Sequence, residues 1–231
     1  RVEHGGETRT VEAEKVLVAI GFIPNTAALG LEEVGVKLDA RGHVAVDERM
    51  MTSVPGIYAV GDMTGGPYLA HKAFREAEVA AEVIAGRFAR ADWLALPAAV
   101  FTDPEIATVG IGEAEAKRRG LEATVGRFPF SASGRAMSLD ETEGFIKIVA
   151  DRDRVIGVQI VGPEASELIG EASFALEMMA SPEDVALTIH PHPTLGEGVM
   201  EAFKHALGEA VHVMNRRARP VASRQPELAA A

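Results

Sequence analysis

Two imidazoles in a proline-stiffened segment offer the most specific chemistry in this sequence. His190, Pro191, His192, Pro193 and Thr194 are followed by Glu197, and two prolines restrict the backbone on either side of His192. A carboxylate that accepts from one ring N–H fixes the tautomer and raises the basicity of the other nitrogen, which can then take a proton from a substrate as a general base. The same spacing has a plainer reading. Thr194 and Glu197 form a Thr-x-x-Glu pattern that can cap a helix, with the histidines packed as loop residues. A metal site built on His190 and His192 is a third reading, for which no further ligand is evident.

A second group of residues suits ligand binding. Asp62 follows Ile57, Tyr58, Ala59, Val60 and Gly61, at the carboxyl end of an expected strand, where α/β folds bind ligands. Its carboxylate can accept from the hydroxyls of a ribose or ribityl chain, or simply end the strand as a turn residue. Tyr68, Leu69, Ala70 and His71 open a long helix whose free N–H groups can face an electron-rich ligand. Gly21 closes another apolar run in the same way, before Phe22, Ile23, Pro24 and Asn25.

These residues need elements to hold them. The run from Lys15 to Ile20 and the run from Ile57 to Val60 are apolar and read as buried strands. Helical spacing over Leu69 to Ala85 places Ala73, Ala77, Ala80, Ala81 and Ile84 on one face, with Lys72, Arg75, Glu78 and Glu82 elsewhere. Strand, glycine loop and helix make an α/β pattern. The character changes near Trp93 to Pro97, where a domain boundary is expected. Beyond it, Ala123–Phe130, Phe145–Val149 and Val155–Ile160 read as antiparallel strands, the last two joined by a turn at Asp151–Arg154. A helix carrying Leu168, Ala172, Leu176 and Met179 follows, then a short one opened by Ser181, Pro182, Glu183 and Asp184. The last helix is expected to begin at Thr194 and to run to about Leu207. From Arg216 onward the chain reads as a flexible tail.

The chain has 231 residues, 34 acidic against 23 basic, 47% hydrophobic and no cysteine. This acidic balance argues against a nucleic-acid partner, which wants clustered Lys and Arg; the one dense basic run lies at Arg216–Arg219. No apolar stretch approaches the ~20 residues of a membrane helix, and no leader segment is evident, so a cytoplasmic protein without a membrane partner is expected. Zero cysteines exclude disulfide and thiolate chemistry by this chain alone. Phosphate-binding loops are also missing: Gly110 and Gly112 are followed by Glu115 where a Gly-x-Gly-x-x-Gly loop needs glycine.

Several ordered motifs together resemble the C-terminal half of the class I pyridine nucleotide-disulfide oxidoreductases, most closely the dihydrolipoamide dehydrogenase branch. The motifs are Ala19–Thr26, Ile57–Asp62, Leu69–Lys72, Phe101–Glu105 with Val109–Gly110, Ser133–Ala136 and His190–Glu197. The resemblance implies an α/β segment of an FAD/NAD(P)-binding domain followed by an α+β interface (dimerisation) domain. Residues 1–25 would end the NAD-binding domain, 26–94 would be the C-terminal segment of the FAD-binding domain, 95–215 the interface domain and 216–231 the tail. It further implies FAD and NAD as cofactors, Asp62 on the ribityl chain, Tyr68, Leu69, Ala70 and His71 lining the flavin, and Gly21 on the NAD side. His192 would be the catalytic base, Glu197 its orienting partner and His190 a supporting residue. A homodimer is implied, as is a lipoyl-carrying protein of a 2-oxo acid dehydrogenase complex as partner. The redox disulfide and the phosphate loops of the family would lie upstream of everything present here. Glutathione reductase-like enzymes share the His-Pro-Thr and the downstream Glu, although His190 favours the lipoamide branch. Mercuric reductase-like enzymes would carry a C-terminal cysteine pair and a Tyr near position 192, which are absent. A non-catalytic dimerisation module is the alternative of another class.

Overall fold

A computed structural model describes residues 1–215, and the expected tail at 216–231 lies outside them. The chain divides into two compact units, Arg1–Ala91 and Asp92–Ala231.

The first unit opens with a small antiparallel pair, β1 (Val2–His4) and β2 (Glu7–Arg9). The expected strand at Lys15–Ile20 does not form: the segment is irregular, and Leu17 and Ile20 are more than nine-tenths exposed. A β-branched run becomes a strand only where neighbours take up its N–H and C=O groups, and among the described residues none pairs with it. The expected strand at Ile57–Val60 is likewise reduced to a bridge between Tyr58 and Met51, with Thr52 N donating to the Ile57 carbonyl and Ala59 N to that of Met50. A 3₁₀ turn, Gly61–Thr64, leads on to α1 (Ala70–Ile84).

Helix α1 forms where expected, but its inward face is different. Lys72, Glu76, Val79, Ala80 and Val83 are buried, whereas Ala77, Ala81 and Ile84 are exposed. Val79, Ala80 and Val83 pack with Met50 and Ala89. Counting alanines misplaced the stripe because alanine carries little apolar area, and the buried Lys72 and Glu76 interrupt the pattern with an ion pair.

The second unit is a five-stranded antiparallel sheet with helices. Its strands are β3 (Ala98–Val100), β4 (Glu105–Gly110), β5 (Ala123–Pro129), β6 (Phe145–Asp151) and β7 (Arg154–Gly162), in the order β3-β4-β7-β6-β5. β5, β6 and β7 agree with the sequence pattern, and Asp151 pairs with Arg154 across the expected turn. The short strands β3 and β4 were not anticipated. Cross-strand pairs Ile146–Ile160 and Ile148–Val158 build the core. Between the strands lie α2 (Glu113–Arg118) and α3 (Gly134–Leu139), and after them α4 (Ala165–Glu177), α5 (Pro182–Leu187) and α6 (Glu197–Leu207). Ser181 and Asp184 form a reciprocal capping box on α5, with Pro182 in its first turn.

Close backbone approach seats α6. A Cβ on Gly126 of β5 would stand 1.9 Å from the Ala202 carbonyl oxygen, and one on Gly198 would meet Ile146 and Phe128 at 3.0 Å. Val199, Ala202 and Phe203 complete the seating as fully buried side chains. Gly126→Ala should therefore destabilise the unit by about 1–3 kcal/mol, the usual cost of overpacking, read as a lower urea midpoint at unchanged slope.

Candidate functional site

Helix α6 begins at Glu197, with Gly196 as its N-cap, three residues later than expected. Thr194 does not cap it: its hydroxyl donates to the Pro191 carbonyl at 2.7 Å. Half of the capping box survives, because Glu197 Oε2 accepts from the Thr194 N–H at 2.8 Å. The other oxygen, Oε1, lies 2.9 Å from His192 Nδ1. One carboxylate therefore holds the loop with one oxygen and the imidazole with the other, which unites the two readings of this spacing.

The carboxylate can only accept, so Nδ1 of His192 donates and Nε2 is left as the acceptor of a neutral ring. The His192 side chain is 79% exposed against 25% for Glu197, and Nε2 has no partner among the described residues. The pair can take a proton at Nε2 and stabilise the resulting imidazolium through Glu197. Burial works against the charged form of Glu197, yet the Thr194 N–H and the His192 ring together outweigh it and hold the carboxyl below the usual glutamate range, with the charge of His212 adding to the effect.

His190 is occupied differently. Its Nδ1 lies 2.9 Å from the Thr188 carbonyl and its Nε2 2.8 Å from Glu171 Oε1 on α4, and its side chain is 7% exposed. Both ring nitrogens face acceptors, so this ring fastens the loop to α4 and leaves no nitrogen to receive a substrate proton. Glu171 was not recognised in the sequence, since nothing local marks a partner 19 residues away.

A lowered carboxyl pKa stabilises the folded state above the unfolded value, and that stability disappears as the pH falls through the folded value. Glu197→Gln should therefore flatten part of the loss of stability on acidification below the ordinary glutamate range. Subtracting the variant's pH–stability curve from that of the parent isolates the contribution.

In the first unit, Asp62 is exposed on the 3₁₀ turn after Val60. Gly61 adopts φ +80° there, and a Cβ on it would lie 3.3 Å from that of Ala73, so glycine permits both the turn and the approach of α1. Glu76 Oε2 accepts from the Gly61 N–H at 2.6 Å, while Lys72 Nζ lies 2.8 Å from Glu76 Oε1 and 3.3 Å from the Gly61 carbonyl. This buried pair clamps the turn that presents Asp62. Sequence reasoning missed it; the only signal is the i, i+4 spacing, which says nothing about burial.

Leu69 is the N-cap of α1 and supplies no side-chain bond, and no acidic residue lies in the first turn. Leu69 thus leads directly into the positive end of a 15-residue helix. Ala70 and His71 are exposed, Tyr68 and Leu69 half-buried. Gly21 (φ +116°), Arg41, His43 and Tyr68 line one cavity of about 760 Å³, so two of the singled-out residues meet there. Arg41 and His43 were not singled out.

Comparison with known proteins agrees with this architecture. Residues 2–77 match the family model described as pyridine nucleotide-disulphide oxidoreductase, and residues 96–203 match the model of that group's dimerisation domain. The dihydrolipoyl dehydrogenase of Geobacillus stearothermophilus is 50% identical over 216 residues, covering 93% of this chain and 46% of the relative. That of Halobacterium salinarum is 53% identical with the same coverage. The crystal structure of LpdA from Mycobacterium tuberculosis matches with a TM-score of 0.79 at 35% identity, over 85% of this chain and 43% of that one. The chain thus spans about half the length of the curated relatives it matches. The expected succession of an FAD/NAD-binding segment and a dimerisation domain is borne out, and by these two consecutive matches the chain belongs to the pyridine nucleotide-disulfide oxidoreductases.

Proposed function

We propose that this chain supplies the proton-handling and dimer-forming part of an NAD-dependent dihydrolipoyl dehydrogenase. The carrying observation is the His192–Glu197 pair, with Nδ1 held at 2.9 Å and Nε2 without a partner among the described residues. On this reading Nε2 takes the proton of a dihydrolipoamide thiol, and Glu197 balances the charge left on the ring. The thiolate so formed attacks a redox disulfide, whose sulfurs must come from outside this cysteine-free chain.

The first unit fits an FAD. Asp62 stands exposed after a positive-φ glycine, suited to ribityl hydroxyls, and the positive end of α1 suits the electron-rich edge of an isoalloxazine ring. Tyr68, Leu69, Ala70 and His71 would line that ring, and Gly21 would lie on the side of the NAD. Bound flavin supplies the relay of electrons between dithiol and nicotinamide. The second unit would join a copy of itself in a homodimer, and the substrate would arrive on a lipoyl-carrying protein of a 2-oxo acid dehydrogenase complex.

The test uses the full-length protein. Stopped-flow reduction of its flavin by dihydrolipoamide should be lost in His192→Ala, while reduction by NADH and flavin content persist. Equal rates with dihydrolipoamide in parent and variant would refute the assignment, and preferential turnover of glutathione disulfide would move the protein to another branch.

A further inference from the structure

An ordered hydrogen-bond chain ends at the wall of the cavity that Gly21 and Tyr68 share. Asp39 opens a tight turn: its Oδ1 accepts from the Arg41 N–H at 2.7 Å and from the His43 N–H at 2.9 Å. Its Oδ2 lies 3.0 Å from His43 Nδ1, and His43 Nε2 lies 2.7 Å from the Tyr68 hydroxyl. The His43 ring is buried and wedged against Gly65, where a Cβ would stand 3.3 Å from His43 Cγ. His43 and Tyr68 meet edge to face at 6.0 Å, and the Phe22 ring lies 6.3 Å from that of Tyr68.

The direction of this chain follows from its first member. An ionised carboxylate only accepts, and the main-chain N–H of His43, ahead of the ring and of Arg41 N–H, holds Asp39 below the usual aspartate range against the effect of desolvation. Nδ1 of His43 therefore donates, Nε2 of the neutral ring accepts, and the Tyr68 O–H donates to it. The phenol proton is thereby committed to His43. The lone pairs of the Tyr68 oxygen remain as an acceptor at the cavity wall.

We propose that Asp39 and His43 are positioning residues that orient the Tyr68 hydroxyl as an acceptor for the carboxamide N–H of a bound nicotinamide ring, making Tyr68 a specificity-determining residue. The inference rests on the reading of the first unit as an FAD- and NAD-binding segment, in which Gly21 marks the NAD side and Tyr68 the flavin side of one cavity. A cavity of this size suits part of a dinucleotide, and a primary amide is the one group on that ring with N–H donors to offer.

The experiment measures equilibrium dissociation constants on the full-length flavoprotein by calorimetry, for NAD⁺ and for its 3-acetylpyridine analogue, which replaces the amide NH₂ with a methyl group. The parent should prefer NAD⁺ by roughly 2- to 10-fold, the range of one hydrogen bond. Tyr68→Phe should abolish the preference for NAD⁺. His43→Phe should abolish it too, and the double variant should be no worse than either single one, because both remove the same interaction. His43→Gln, which keeps an acceptor for the phenol, should regain part of it. Preserved discrimination in Tyr68→Phe, or additive losses in the double variant, would overturn the proposal. A parent protein that binds both FAD and NAD⁺ but fails this test refutes the relay alone, whereas one that binds neither cofactor refutes the underlying reading as well.

Discussion

Replacing His192 with glutamine in the full-length protein should lower kcat with dihydrolipoamide by about 10²- to 10⁴-fold, the range that a positioned general base supplies. Glutamine approximates the size of the ring and can still bond Glu197, but it has no nitrogen that binds a proton near neutral pH. The loss should appear in the half-reaction with the dithiol and spare the half-reaction with NADH, because the first begins with a proton on sulfur. Glu197→Gln should fall between variant and parent. It keeps an acceptor oxygen for Nδ1, which lies 2.9 Å away, yet removes the charge that balances the imidazolium. Since the two residues act as one unit, the double variant should lose little more than His192→Gln alone. A double variant whose defects multiply would show that Glu197 serves only the helix start, through its bond to Thr194.

Lys72→Met should produce the largest loss of stability in the first unit, about 3–5 kcal/mol, the cost of stranding one member of a buried ion pair. The Lys72 and Glu76 side chains are only 5% and 7% exposed, so solvent screens them little. With Lys72 gone, Glu76 keeps the Gly61 N–H at 2.6 Å but loses the ammonium at 2.8 Å. The double variant Lys72→Met, Glu76→Met should recover much of the stability, since no charge is then buried. It should stop short of the parent, because the Gly61 N–H is left without its acceptor, at about 1–3 kcal/mol. Chemical denaturation of the three proteins reads both effects. A double variant less stable than Lys72→Met would show that the clamp on the Gly61–Thr64 turn outweighs the buried charge.

The two units differ in how far their folds could be read from the sequence. In the second, β6 and β7 pair along their lengths around a tight turn, and α5 carries its cap, proline and acid in consecutive residues. Such signals are local, and the elements appear where the pattern places them. In the first unit the strongest apolar run, Lys15–Ile20, is no strand and lies exposed. Its residue types are those of a strand buried between neighbours, and pairing depends on those neighbours and not on the run itself. The face of α1 was misjudged for a related reason: Lys72 and Glu76 look like solvated charges until the carbonyl and N–H of Gly61 are seen to receive them.

By itself the sequence singled out candidate residues whose neighbours lie close along the chain: His192 with Glu197 five positions on, Asp62 after Gly61, and Tyr68 at the mouth of a helix. Tertiary structure decided how the atoms are shared. It assigned one oxygen of Glu197 to the loop and the other to the imidazole, turned His190 away to Glu171, and joined Asp39 through His43 to Tyr68, 29 positions along the chain from Asp39. Spacing states which side chains can meet within a turn or two. A hydrogen bond also needs each donor aimed at one acceptor within about 3 Å, and for groups distant in sequence that aim is set only when packing brings their backbones together.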